Sequence, residues 1–106
     1  MVDYHLQWDD EALALFKEIF YWYKDNLGIK AANKFRKGIV DAIYVISKNP
    51  YIGPREILLA AREKEYHSFI EHTNHKIIYF IESDLIYIAY IWDCRMDNSN
   101  IENIIP

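Results

Sequence analysis

The segment HKIIYFIESDLIYIAYIWDCR, residues 75–95, decides how this chain folds. It reads as two long strands joined by a tight polar turn at Ser83-Asp84. A strand pair in a water-soluble domain normally buries one face and wets the other, which alternates apolar with polar residues. Here Ile77, Tyr79 and Ile81 alternate with Ile78 and Phe80, so both faces are apolar. A small chain has little material to cover two faces, and the pattern asks for a partner. Arg95 stands where the apolar run gives way to a polar tail, at the margin of the surface a partner would use.

Upstream, residues 66–72 alternate Tyr66, Ser68 and Ile70 against His67, Phe69 and Glu71, the pattern of another strand. Thr73-Asn74 and Ser83-Asp84 supply the two hairpin turns of a three-stranded antiparallel meander. Before it, Tyr51-Ile52-Gly53-Pro54-Arg55 is a loop, with Gly53-Pro54 as its turn signal. Residues 56–65 fit either a short helical turn or a direct lead into the strand.

Two helices precede the loop. Asp9 or Asp10 offers an N-cap, and Ala12, Phe16, Ile19, Phe20, Tyr23 and Leu27 recur at helical spacing up to Gly28. A second stripe, Ala32, Phe35, Ile39, Ala42, Ile43 and Ile46, predicts a helix from near Lys30 that stops before Asn49-Pro50. Residues 2–7 alternate Val2, Tyr4 and Leu6 with Asp3, His5 and Gln7, a half-buried strand. The order β-α-α-β-β-β predicts one α+β domain over residues 1–106, with a helix pair on one face of an antiparallel sheet. The other face should then present Ile78, Phe80 or Tyr87, according to register. A partner protein or a symmetric homodimer would cover it.

Composition bounds the function. Hydrophobic residues at 52% exclude disorder, and the single cysteine, Cys94, excludes an internal disulfide framework. The opening MVDYHLQWDD lacks the basic start and apolar run of a signal peptide, and no stretch reaches the length of a membrane span. A soluble, cytoplasmic protein is expected. The net charge of −4 is segregated. Residues 1–28 carry two bases and six acids, residues 29–56 six bases and two acids, and residues 57–106 four bases and eight acids. Only the middle third could attract nucleic acid, and Lys30, Lys34 and Lys37 there read better as a solvated helix face. His5, His67, His72 and His75 show no metal-ligand spacing, and Cys94 has no histidine beside it to activate a thiolate. No metal or cofactor is called for.

The chain resembles the ParE/RelE superfamily, the toxins of bacterial type II toxin–antitoxin modules. The resemblance is carried by Gln7-Trp8 closing the first strand, the helix hairpin around Leu27-Gly28 and the loop Asn49-Pro50-Tyr51-Ile52-Gly53. It continues through Tyr66, Asn74-His75-Lys76-Ile77-Ile78-Tyr79 and Ile91-Trp92-Asp93-Cys94-Arg95. Two activities follow from it. RelE-like members are ribosome-dependent mRNA endonucleases; there the resemblance implies His67 as general base, with Lys76 and Arg95 clamping the phosphate. ParE-like members inhibit DNA gyrase and need no such constellation. The sequence departs from the nuclease pattern: Phe69 stands where a basic residue is wanted, Asp93 and Asp97 flank Arg95, and MDNSNIENIIP after it holds no Tyr or His. We therefore expect a ParE-like toxin acting by protein binding. Antitoxin or target would meet Tyr66, Ile78, Phe80, Tyr87, Trp92 and Arg95, in a homodimer or a toxin–antitoxin hetero-oligomer. A mRNA endonuclease, or a decayed toxin kept as a binding module, is the alternative.

Overall fold

Asp9 sets where the first helix begins. The computed structural model describes residues 4–71, 75–93 and 105. In it Asp9 is extended (φ −63°, ψ 144°), and its carboxylate accepts the Glu11 amide at 3.1 Å. That satisfies a donor the helix cannot pair internally. The chain enters Asp9 from strand β1 (His5–Trp8) and leaves it as helix α1 (Asp10–Leu27). Asp10 and Glu11 in the first turn and Lys24 in the last both complement the helix dipole.

Gly28 alone separates α1 from α2 (Ile29–Lys48). Its φ of +95° reverses the chain in a single residue, a conformation that strains a residue bearing a Cβ. Its amide donates to the Lys24 carbonyl and its own carbonyl accepts from Ala32, so neither helix end is left open there. The buried stripe of α2 is the one its periodicity predicts: Ala32, Phe35, Ile39, Ala42, Ile43 and Ile46.

Strands β2 (Tyr66–Glu71), β3 (His75–Glu82) and β4 (Leu85–Asp93) form the antiparallel meander. The sheet order is β1-β4-β3-β2, and β1 runs parallel to β4, from His5 beside Leu85 to Trp8 beside Ile88. The helix pair carries the chain from β1 at one edge of the sheet to β2 at the other, the long return that lets β1 lie parallel to β4. Ile78 opposes Tyr90 but Tyr79 opposes Ile88, so Ala89 is the extra residue of a β-bulge. The bulge lets Ile86, Ile88 and Ile91 all join Ile77 and Tyr79 under the helices, against Phe35, Ile39, Ile43 and Ile46. Ile39 is fully buried at the centre of this layer. Ile39→Val should cost about 0.5–1.5 kcal/mol, read as a lower urea midpoint at unchanged slope.

The other sheet face is not bare, which corrects the expectation for Ile78 and Phe80. Ile78 and Trp92 are fully buried and Phe80 is 9% exposed; Tyr87 is half-buried. The cause is the segment between α2 and β2. It wraps the outer edge of β2: Ser68 donates to the Pro54 carbonyl, Glu56 donates to that of Tyr66, and Arg55 bridges His67. Past that edge a single 3₁₀ turn, Ile57–Leu59, lays Leu59 over Ile78 and Trp92, and Ile105 joins them. Residues 56–65 are therefore a cover for the second face.

Candidate functional site

Lys76 and His67 project from opposite faces of the sheet. Lys76 shares its face with Ile78 and Phe80, whereas His67 pairs with Tyr79 beneath the helices. Lys76 Nζ lies 2.8 Å from Glu56 Oε2, and both side chains are buried. The His67 ring is held at both nitrogens: Nδ1 is 2.8 Å from the Gly53 carbonyl and Nε2 is 2.9 Å from the Glu65 carboxylate. The ring also stacks on Tyr79 at 5.6 Å and meets Tyr51 edge-on at 5.7 Å. A general base must reach a substrate proton with a nitrogen lone pair. Here both nitrogens face acceptors that belong to the fold. Both side chains fasten the segment from Pro50 to Glu65 to the sheet. Arg95, His72 and Cys94 lie outside the described residues. Among the described residues no group of three or more His, Cys, Asp or Glu side chains is placed to hold a metal ion.

Tyr66, Phe80 and Tyr87 come together instead, as cross-strand neighbours on β2, β3 and β4. Tyr66 meets Phe80 edge-on at 5.5 Å, and Phe80 stacks on Tyr87 at 4.8 Å. Such pairs add about 0.5–1.5 kcal/mol each beyond area burial. The Lys64 ammonium sits 5.6 Å above the Phe80 ring and pairs with Glu82, whose hydrogen bond raises the lysine above its ordinary range. At the other end the Tyr87 hydroxyl donates to the Asp9 carboxylate at 2.7 Å. Of the residues expected to bind, three thus form an aromatic ladder with a cation at one end. Ile78 and Trp92 share the face but are sealed beneath Leu59 and Ile105, and the Trp92 indole N–H finds no acceptor among the described residues.

The Asp9 hydrogen bond stabilises the neutral Tyr87 phenol and pushes its pKa up to about 12; burial raises that of Tyr79. Both contributions are complete below pH 10, where the unfolded tyrosine is neutral too. They fade as pH climbs from there through the folded values, because the unfolded chain ionises first. Stability should fall above pH 10, and Tyr87→Phe should make that fall shallower in urea titrations at pH 8 to 11.5.

A groove elsewhere on the molecule was missed in the sequence. Between α1 and the far half of β4 lies a groove of about 280 Å³, lined by Leu15, Ile19 and Trp22 on the helix and Tyr90, Ile91 and Asp93 on the strand. Burial raises the Tyr90 phenol, and the carboxylates of Glu11 and Glu18 add to it. The signal was present: Leu15, Ile19 and Trp22 stand four and three residues apart, a second apolar stripe beside the first.

A comparison of the sequence with protein-family models gives no match, and a comparison with curated proteins gives none. Among solved structures the chain is similar to one described as "Chromosomal ParDE TA system from P. aeruginosa", with a TM-score of 0.70 and 17% identity. The similarity covers 86% of this chain and 96% of that one. At such identity the likeness is one of fold. With its helix hairpin leading from β1 to β2 and its meander returning β4 parallel beside β1, the chain has the α+β fold of a ParE-like protein.

Proposed function

We propose that this chain is the toxin of a type II toxin–antitoxin module, a ParE-like protein that acts by binding its target and is neutralised by a cognate antitoxin. DNA gyrase is the candidate target. The observation that carries the reading is the placement of Lys76 and His67. Two of the three groups a nuclease would need, His67 and Lys76, sit on opposite faces, each bonded to the segment that covers the β2 edge. What remains for function is surface: an aromatic ladder and an acidic-rimmed groove, both suited to protein contacts. The antitoxin is expected to be a short protein whose disordered part orders on this surface.

The test is expression with and without the product of the adjacent reading frame. The toxin alone should arrest growth, the neighbour should restore it, and plasmid supercoiling should fall while mRNA stays intact. Cleaved mRNA with ribosomes present would instead support the endonuclease. Unaltered growth would point to a decayed toxin.

A further inference from the structure

We infer that the outward face of α2 docks on duplex DNA, lying along the major groove with its cations on the phosphates. The inference deepens the reading of gyrase as target, since gyrase works on duplex DNA. It rests on that reading for its setting, while the contact itself is tested on the chain alone. The starting point is the charge of one element. Helix α2 carries Lys30, Lys34, Arg36, Lys37 and Lys48 against a single acid, Asp41, and all six are exposed. The rest of the chain holds seven bases and fifteen acids. A face that only keeps a helix in water commonly alternates its charges in pairs four residues apart. Here Lys37 and Asp41, at 2.7 Å, make such a pair. Among the described residues Lys30, Lys34, Arg36 and Lys48 have no carboxylate partner. Lys30 also opposes the helix dipole from the first turn, with no acid there to offset it. Helix stability does not account for this row.

The shape of the face selects the polyanion. Lys30, Lys34, Lys37, Asp41, Tyr44 and Lys48 follow one another four and three residues apart, a straight crest about 27 Å long at the usual helical rise. It runs opposite the buried stripe that holds α2 to the sheet. Lys34 and Arg36, two residues apart and so about 200° apart around the axis, flank the crest on opposite sides. A ridge about 10–12 Å across, with cations on top and on both sides, matches the ~12 Å major groove of B-DNA and its two phosphate rims. The deep, narrow major groove of duplex RNA does not admit it. A single strand needs rings on which bases stack. The crest offers Tyr44 alone, and the Lys48 ammonium lies over that ring at 5.4 Å. An anionic membrane takes a helix by its apolar face, and that of α2 is occupied by the core. The acidic remainder of the chain repels DNA, which orients α2 toward it.

The test is fluorescence anisotropy of a short labelled DNA duplex with the full chain, over a range of salt. For the four cations without a partner, the logarithm of the affinity should fall against the logarithm of salt with a slope of about −3 to −4. Lys34→Ala with Arg36→Ala should weaken binding about tenfold at low salt and make the slope shallower by about two. Asp41→Asn, which releases Lys37, should tighten binding and steepen the slope by about one. Lys17→Ala with Lys24→Ala, on α1, should change neither. The inference is overturned if duplex RNA, single-stranded DNA or phosphatidylserine vesicles bind as tightly as the DNA duplex. It is overturned as well by a slope that the α2 variant leaves unchanged, or by self-association of the chain that this variant abolishes. Growth arrest separates the two readings. Arrest by a chain that does not bind DNA removes the docking and keeps the toxin. DNA binding by a chain that does not arrest growth keeps the docking and removes the toxin.

Discussion

Lys76→Ala is expected to lower the unfolding free energy by about 3–5 kcal/mol. For a domain of this size that is a large share of a total near 5–15 kcal/mol. The reason is asymmetric. Lys76 and Glu56 meet at 2.8 Å with both side chains buried, so truncating the lysine strands a carboxylate in an apolar surround beside Leu59 and Trp92. Removing both charges is a different experiment. The double variant Glu56→Leu, Lys76→Met replaces the pair with apolar groups of similar size, and such exchanges are commonly neutral or stabilising by about 1–4 kcal/mol. Urea titrations of the single and double variants measure both effects. A loss below about 1 kcal/mol for Lys76→Ala would place the pair in the class of exposed ones and defeat the argument. The double variant also separates the two activities. A binding toxin should still arrest growth without Lys76, whereas an endonuclease relying on that ammonium should not.

The same residues show where sequence reading reached and where it stopped. The α2 stripe was legible because six apolar positions repeat at three- and four-residue spacing with nothing competing. Gly28 was legible because few other residues reverse a chain between two helices in one step. Coverage of the second face was not. Ile57, Leu58 and Leu59 stand in a row without a period, yet Leu59 is buried and Ile57 is 82% exposed. Only the wrap around β2 selects between them. The fate of Lys76 was hidden for a related reason. A sequence displays a charge but not its counter-ion, and Glu56 sits across a loop and a strand from it. The bulge at Ala89 shifts which β4 side chains share a face, so Tyr87 and Trp92 could not be placed together from alternation alone. The groove left a trace in the sequence, since Leu15, Ile19 and Trp22 stand at helical spacing.

Gly53→Ala should be the most disruptive single methyl group added anywhere along the covering segment, with an expected loss of about 2–4 kcal/mol. A Cβ there would collide with the Ser68 carbonyl oxygen and stand 2.8 Å from the Tyr79 hydroxyl. Neither neighbour can yield cheaply. The Tyr79 hydroxyl donates to the Pro50 carbonyl at 2.7 Å and accepts the Gly53 amide at 3.1 Å. Ser68 is tied to Pro54, and the Gly53 carbonyl holds His67 Nδ1. To admit the methyl group the backbone must retreat from β2 and give up some of these buried bonds. Tyr79→Phe provides the comparison: it removes the hydroxyl without adding bulk and should cost about 1–3 kcal/mol. Combining the two should cost little more than Gly53→Ala alone, because the collision with the Ser68 carbonyl persists after the hydroxyl is gone. The effect should also travel. This clip begins the wrap that carries Leu59 over Ile78 and Trp92, so Gly53→Ala should speed amide exchange at Ile78 and Trp92 while Ile39 and Ile43 stay protected. Uniform loss of protection across the α2 stripe and the second face would mean that the two layers open together. The wrap would then be part of one cooperative core and could not loosen without it.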